Sequence, residues 1–300
     1  MIAADETFEG TFPFEPHFCE AAGFRQHYVD EGEGEPIICL HGEPTWGYLY
    51  RNFIPPLSRT HRVIVPDHMG FGKSETPQDR EYVLKTHVDN LTALIEELDL
   101  KDITFVGQDW GGPITSSYTV RHPERVKRIC LMNTMLGYGG VQAGGGPTPW
   151  FQWIGKHHEA GTLDEVLGNL GSNILSVMKI IGFQNSAAVD QTWIRAYSAP
   201  FPDKESCIGG IEFPLDAYLQ RIREYIIEGF AGVDALKEKP AMLAEGLEDY
   251  AIAPEQALAD FKALYPDGPV VTLPGVGHFC QEDAPQTLVA LIQQFIQMTE

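Results

Sequence analysis

Asp109 lies in a glycine-flanked motif that could carry nucleophilic chemistry. The segment Gly107-Gln108-Asp109-Trp110-Gly111-Gly112 follows an apolar run ending at Val106 and precedes a helical pattern that begins near Pro113. Glycines on both sides of a strand-to-helix turn allow the sharp bend that presents the central side chain at the sheet's carboxyl edge. A carboxylate there can attack an electrophilic carbon and form an alkyl ester, which a second step must hydrolyse. An aspartate that only caps the helix is the alternative, and the glycines and the strand favour the nucleophile.

His278 is the candidate general base. It follows the last predicted strand, in the segment Gly275-Val276-Gly277-His278-Phe279, and therefore reaches the same carboxyl edge as Asp109. A histidine in this position can activate water, an effect typically worth about 10² to 10⁴ in rate. A solvated loop histidine is the alternative, but the chain order of nucleophile followed by base favours catalysis.

Such a base needs a carboxylate to orient it, and two strand ends could supply one. The strand after the motif ends in Leu131-Met132-Asn133-Thr134, which contains no carboxylate. The penultimate strand leads into Glu245, Glu248 and Asp249, so the acid is expected there. The residues alone leave all three open.

Backbone donors for a developing oxyanion are expected at two turns. His41-Gly42-Glu43-Pro44-Thr45-Trp46 follows a predicted strand, and such a turn can aim a backbone N–H at the negative charge. The N–H groups of Glu43 and Trp110 are the candidates for this oxyanion hole. The sequence does not decide whether the Glu43 side chain has a catalytic role or a structural or solvent-facing one.

The elements that must position these residues alternate between strand and helix patterns. Short apolar runs bounded by Gly, Pro or His predict buried strands, and apolar residues at three- and four-residue spacing predict amphipathic helices. This order implies right-handed parallel crossovers, and therefore an α/β fold with a mostly parallel central sheet, helices on both faces and a helical cap inserted after Asn133. The predicted strands are 36–40, 62–66, 103–106, 129–132, 241–244 and 270–273, and the predicted helices are 87–100, 113–121, 256–264 and 286–298.

Composition excludes several classes of protein. The 300 residues include 42 acidic and 21 basic side chains, giving a net charge of −21 that repels nucleic acid and anionic membranes. The sequence contains no run of 18 apolar residues, so no membrane-spanning helix is predicted. The N-terminus lacks the basic and apolar regions of a secretory signal, so a cytoplasmic location is expected. Five scattered cysteines indicate reduced thiols, and neither a metal nor a cofactor is expected.

The chain resembles the haloalkane dehalogenases of the α/β-hydrolase fold from about Phe14 to the C-terminus. The HGEPTW form and the acid after the penultimate strand are similar to the subgroup with an Asp-His-Asp triad and two halide-binding tryptophans. The motifs that carry the resemblance are HGEPTW at 41–46, PD at 66–67 with GFGKS at 70–74, GQDWGG at 107–112, APFPD at 199–203, and GHF at 277–279 with QED at 281–283.

This resemblance implies roles for individual residues. Asp109 would be the nucleophile, His278 the base and Asp249 the acid. Trp110 would be the first halide-binding residue, because its indole N–H is a donor with no acceptor function. The second donor would come from the early cap helix, where Trp153 is favoured over Trp150.

The implied reaction is hydrolytic dehalogenation of a haloalkane to an alcohol, a halide and a proton, through an alkyl ester on Asp109. The expected partners are a small halogenated alkane and the halide ion, on a monomer or small homo-oligomer. The expected domains are a core of residues 1–134 and 236–300 and a cap of residues 135–235.

Two other functions stay open. An epoxide or lactone hydrolase could use the same Asp-His-Asp core, and an epoxide hydrolase would need a cap tyrosine, such as Tyr197 or Tyr218, to protonate the alkoxide. Trp110 beside the nucleophile favours halide instead. A non-catalytic ligand-binding protein is the third possibility, and the presence of all three triad residue types argues against it.

Overall fold

The computed structural model describes residues 2–140 and 147–300. Its centre is an eight-stranded sheet in the order β1-β2-β4-β3-β5-β6-β7-β8. Every strand from β3 onward pairs in parallel with its neighbours in this series, apart from the antiparallel contact between β4 and β2. The strands are β1 (His17–Cys19), β2 (Gln26–Glu31), β3 (Pro36–Leu40), β4 (Arg62–Pro66), β5 (Ile103–Gln108), β6 (Val126–Met132), β7 (Ala241–Glu248) and β8 (Val270–Gly277).

Helices connect the parallel strands. The predicted helices all form, with ends shifted by up to three residues. The helices are α1 (Ile54–Leu57), α2 (Leu84–Glu97), α3 (Gly111–Thr119), α4 (Pro149–Glu159), α5 (Leu163–Val166), α6 (Leu170–Ile181), α7 (Gln191–Ser198), α8 (Ile208–Tyr218), α9 (Ile222–Gly229), α10 (Val233–Lys237), α11 (Pro254–Leu264), α12 (Cys280–Asp283) and α13 (Pro285–Met298). The predicted α/β fold with a mostly parallel sheet is confirmed.

The antiparallel edge strands β1 and β2 were not predicted. β2 carries no long apolar run, because polar side chains occupy two of its four buried positions. Gln26 donates to the backbone oxygen of Asp67 at 3.2 Å, and His27 lies 2.8 Å from the Asp67 carboxylate. These hydrogen bonds offset the cost of burying polar side chains in β2. A search for apolar periodicity does not detect a strand of this kind.

Helices α4 to α10 all lie between β6 and β7 in the chain, where the cap was expected. The division into a core of 1–134 and 236–300 and a cap of 135–235 stays a prediction. Residues 141–146, inside the predicted cap, lie outside the described residues.

Burial of the central strands keeps their thiols unreactive. Cys39 on β3 and Cys130 on β6 are buried, and burial raises the pKa of both thiols, that of Cys130 to about 12. Within residues 2–140 and 147–300, no helix is both long and apolar enough to cross a bilayer. No group of three or more His, Cys, Asp or Glu side chains is arranged to hold a metal ion in those ranges.

Candidate active site

Asp109 occupies the turn between β5 and α3. Its φ of +51° is in the left-handed region, which is uncommon for a residue other than glycine and often marks a functional site. Gly111 allows the turn to pack against β3, since a Cβ there would lie 2.4 Å from the backbone oxygen of Leu40. The backbone N–H of Asp109 donates to Asn133 at 3.2 Å, which fixes the turn to the end of β6.

The Asp109 carboxylate is held by the turn after β3. Its Oδ2 accepts the backbone N–H of Glu43 at 2.8 Å. A Cβ on Gly42 would lie 2.1 Å from this oxygen, so glycine is required for the approach. The backbone N–H of Trp110 donates to no described residue. Of the two predicted oxyanion donors, the Glu43 N–H therefore binds the Asp109 carboxylate. The Trp110 N–H has no partner among the described residues.

His278 lies just after β8 and faces two carboxylates. Its Nδ1 is 2.8 Å from Asp249 Oδ2, and its Nε2 is 3.6 Å from Asp109 Oδ1. The Nδ1–H group is placed to donate to Asp249, and Nε2 faces Asp109. His278 is fully buried, so both interactions are shielded from bulk water.

Asp249 is the one of the three candidate acids that contacts His278. Its Oδ1 accepts the backbone N–H groups of Ala251 and Ile252 at 2.8 and 2.9 Å. Glu248 is exposed, and Glu245 is buried with both carboxyl oxygens unpartnered among the described residues. The loop after β7 therefore orients Asp249 toward the histidine.

Asn133 is a supporting residue that the sequence analysis missed. Its side-chain nitrogen donates to Asp249 Oδ2 at 3.0 Å, and its side-chain oxygen accepts the N–H of Gly246 at 2.9 Å. The end of β6 carries no carboxylate, and the amide of Asn133 at that strand end is the sequence signal for a supporting residue. Asn133 joins the acid to the sheet.

The electrostatics of His278 depend on both carboxylates. Burial lowers its pKa, but the negative charges of Asp249 and Asp109 outweigh burial and raise the pKa to about 10. The imidazole is therefore protonated while both acids are ionised. Removing the charge of either acid would lower this pKa.

A cavity of about 140 Å³ opens above Asp109. We call it the inner cavity. Its walls are mostly apolar, and its polar groups are Glu43, Asp109, His278 and two indoles. The remaining lining residues are Pro113, Met135, Phe151, Ile181, Pro214, Ala217, Ile222, Ala251 and Ile252.

The two indoles of the inner cavity are Trp110 and Trp150. Trp110 stacks on Phe213 at a ring distance of 4.6 Å. Neither indole nitrogen hydrogen-bonds to another described residue, so both N–H groups are free to donate to a bound group.

Trp153, which the sequence analysis expects to supply the second indole donor, does not line the inner cavity, and its role in halide binding stays a prediction. It is only partly buried, and it stacks against Trp150 with a ring distance of 5.2 Å. Three residues along an α-helix turn the side chain by about 300°, so the two tryptophans point about 60° apart. The packing of α4 directs Trp150 to the cavity.

A second cavity of about 350 Å³ continues outward from the inner one. We call it the outer cavity. The two share six lining residues and together form one apolar path toward Asp109. The shared residues are Met135, Phe151, Ala217, Ile222, Ala251 and Ile252.

The two tyrosines considered for epoxide chemistry lie away from the nucleophile. The Tyr197 hydroxyl donates to Glu282 at 2.5 Å and is not part of the inner cavity. Tyr218 lines the outer cavity only. Neither side chain is placed to protonate a group that leaves from a carbon at Asp109.

The sequence pattern of the alpha/beta hydrolase fold matches residues 35–285. This range contains the Asp109 turn, Asp249 and His278. The chain belongs to the α/β hydrolase family. It is thus a hydrolase-fold enzyme.

Relatives of this α/β hydrolase carry two different names. A cis-3-alkyl-4-alkyloxetan-2-one decarboxylase of Shewanella oneidensis is 33% identical, with 96% of this chain and 90% of the relative covered. A haloalkane dehalogenase of Psychrobacter cryohalolentis is 32% identical, with 95% and 93% covered. The solved structure of a tetrameric haloalkane dehalogenase from Paraglaciecola agarilytica matches at a TM-score of 0.77 and 30% identity, covering 94% and 92% of the two chains. The predicted relationship to haloalkane dehalogenases is confirmed.

Proposed function

We propose that this hydrolase cleaves carbon–halogen bonds of haloalkanes and releases an alcohol, a halide and a proton. The observation that carries this proposal is the inner cavity, in which Asp109, His278 and two unpartnered indole N–H groups share one mostly apolar space. The dehalogenase relatives support the same reaction.

In the first step, an Asp109 oxygen attacks the carbon that bears the halogen. Oδ1 is the attacking atom, because Oδ2 is already bound by the Glu43 backbone N–H. A carbon–oxygen bond forms, and the halide leaves with the electron pair of the carbon–halogen bond. The indole N–H groups of Trp110 and Trp150 stabilise the halide as its charge develops.

In the second step, His278 activates water against the ester. Alkylation converts the Asp109 carboxylate into a neutral ester and so removes one of the two charges that raise the His278 pKa. The pKa then falls, the imidazolium releases its Nε2 proton to solvent, and Nε2 can accept a proton from water. The hydroxide adds to Asp109 Cγ, and the Glu43 and Trp110 backbone N–H groups stabilise the oxyanion at Oδ2. Collapse releases the alcohol, and Asp249 stabilises the imidazolium.

Opening of an oxetan-2-one ring is the second candidate function. The relative from Shewanella oneidensis has that name at 33% identity, and the outer cavity offers an apolar path for an alkyl chain. Asp109 would attack the saturated ring carbon that is bonded to the ring oxygen. The bond between that carbon and the ring oxygen would break, and the resulting carboxylate would be the leaving group, as halide is in the first reaction. Breaking the new ester bond while carbon dioxide departs would give an alkene and restore Asp109, without water.

In both functions, residues 135–235 act as a cap that covers the reaction site. They supply Trp150, Phe151 and Ile181 to the inner cavity. This mostly apolar lining disfavours water near the carbon in the first step, in which water would compete with Asp109.

The test compares halide release with ring opening. Purified protein is incubated with 1-bromoalkanes, with 1,2-dibromoalkanes and with a cis-3,4-dialkyloxetan-2-one, and bromide, alcohol, carbon dioxide and alkene are quantified. Asp109→Asn should lower either activity by about 10⁴-fold or more, because an amide is a poor nucleophile. Mass spectrometry must exclude deamidation back to Asp. Bromide release supports the first proposal, alkene with carbon dioxide supports the second, and full activity of Asp109→Asn contradicts both.

A further inference from the structure

The side chain of Glu43 has no assigned function in either reaction. It is 4% exposed and lines the inner cavity beside Asp109, Trp110 and His278. Its Oε1 is buried without a hydrogen-bond partner among the described residues, and no described group donates to Oε2. A buried polar group left unpaired costs free energy, so its presence in a cavity wall points to a bound group as the missing partner.

The surroundings of Glu43 favour the neutral carboxylic acid. Burial raises its pKa well above the ordinary value, and the negative charge of Asp109 raises it further, while His278 lowers it. These are the two titratable groups that act on it from the neighbouring turns. From the inserted helices, α8 approaches Glu43 at Gly210, since a Cβ there would lie 3.7 Å from Oε1. No cation of that helix is placed to hold an ionised Glu43.

A carboxylic acid carries one O–H donor, whereas a carboxylate is acceptor-only. An ionised Glu43 would repel both a departing halide and a departing carboxylate. A protonated one would donate to either. Because Tyr197 and Tyr218 do not line the inner cavity, Glu43 is the carboxyl group of its described lining, besides Asp109 itself, that could transfer a proton to an alkoxide.

We propose that the Glu43 side chain is a third hydrogen-bond donor for the leaving group and the general acid for oxygen leaving groups. This inference rests on the inner cavity being the leaving-group site of the proposed function. With an epoxide, Asp109 Oδ1 bonds to a ring carbon, the carbon–oxygen bond breaks, and the Glu43 proton moves to the ring oxygen. The products are a hydroxyalkyl ester and the Glu43 carboxylate, which regains its proton from the water that His278 later deprotonates. The site would thus accept strained cyclic C–O electrophiles beside haloalkanes.

The first test measures bromide binding, which requires no turnover. Bromide quenching of tryptophan fluorescence gives the Kd for wild type, Glu43→Gln and Glu43→Leu. Glu43→Gln keeps an N–H donor that does not titrate, so its Kd should stay within about threefold of wild type at pH 6. Glu43→Leu deletes the donor and should raise the Kd by roughly 10- to 100-fold.

The pH dependence separates a neutral from an ionised Glu43. As pH rises through the Glu43 pKa, the wild type should lose bromide affinity relative to Glu43→Gln, because only the wild type gains a repelling charge. The matched control is Glu245→Leu, another buried and unpartnered glutamate that does not line the inner cavity. Its Kd should equal that of wild type.

The second test addresses proton transfer. In a His278→Gln background, alkylation of Asp109 by 1-bromohexane and by 1,2-epoxyhexane is followed by intact-protein mass spectrometry. Adding Glu43→Gln should slow the epoxide reaction at least tenfold more than the bromide reaction, because an amide donates a hydrogen bond but transfers no proton.

Three results would overturn the inference. The first is a Kd for bromide in Glu43→Leu equal to that of wild type, and the second is tighter bromide binding by Glu43→Gln than by wild type at pH 6. The third is that 1,2-epoxyhexane does not alkylate the His278→Gln protein, or that adding Glu43→Gln slows the epoxide and bromide reactions equally. Near-UV circular dichroism confirms that each variant is folded. Bromide binding decides the role of Glu43 even if the wild type turns over no haloalkane, so failure of the proposed function is distinguishable from failure of this inference.

Discussion

His278 Nε2 and Asp109 Oδ1 are 3.6 Å apart, longer than a hydrogen bond between them would be. The Asp109 carboxylate is therefore not hydrogen-bonded to His278 in the free protein. This separation fits a scheme in which Asp109 acts first and His278 acts on the ester afterwards.

His278→Gln should accumulate the alkyl-enzyme. Attack by a carboxylate needs no proton removed, so the first step continues while water activation is lost. Intact-protein mass spectrometry after exposure to a bromoalkane should show one added alkyl group, and peptide mapping should locate it at Asp109. An unmodified variant with normal multiple turnover would contradict the two-step scheme.

Asp109→Asn should lower the His278 pKa from its wild-type value of about 10. The substitution removes one of the two negative charges that hold the proton on the imidazole, as alkylation does. NMR titration of the imidazole measures this pKa in both proteins. Asp249→Asn serves as a positive control, because Asp249 is the larger source of the upward shift. An equal pKa in Asp109→Asn and wild type would remove the proposed trigger for the second step.

Trp150→Phe should weaken halide stabilisation, whereas Trp153→Phe should not. Both changes keep an aromatic ring on α4, but only Trp150 lines the inner cavity. Loss of a hydrogen bond to a charged group costs about 1.5 to 3 kcal/mol, so kcat/KM for a bromoalkane should fall roughly 10- to 100-fold in Trp150→Phe. Bromide quenching should weaken in parallel. The reverse order of effects would restore Trp153 as the donor.

Glu245→Gln should stabilise the fold more at pH 8 than at pH 5. Burial raises the pKa of the Glu245 carboxyl well above its usual range, and the charge of Asp249 adds to this. The folded wild type keeps this group protonated, but the unfolded chain ionises above about pH 4.3. Wild-type stability is therefore lost as pH rises from that value toward the folded pKa, by about 1.4 kcal/mol per pH unit.

Urea denaturation at the two pH values measures this difference. Glu248→Gln is the matched control, since Glu248 lies on the same strand and is exposed. Its free energy of unfolding should follow the wild type at both pH values. Parallel pH curves for wild type and Glu245→Gln would show that Glu245 is not protonated in the folded state.

Local sequence patterns determined the fold and the position of Asp109 at the turn after β5. Apolar runs and helical spacing predicted β3 to β8, because these elements bury continuous hydrophobic surface. The glycines around Asp109 predicted its turn, since the steric limits on the backbone act within a few residues. Parallel strands share one carboxyl edge, which is sufficient to predict from the sequence that His278 lies near Asp109.

Tertiary structure decided which side chains meet at that edge. Glu245, Glu248 and Asp249 could not be separated by residue type, and the loop after β7 brings Asp249 to His278. Likewise, the packing of α4 selects Trp150 over Trp153 for the cavity wall. These choices depend on the directions of side chains on elements far apart in the chain, and local periodicity does not encode those directions.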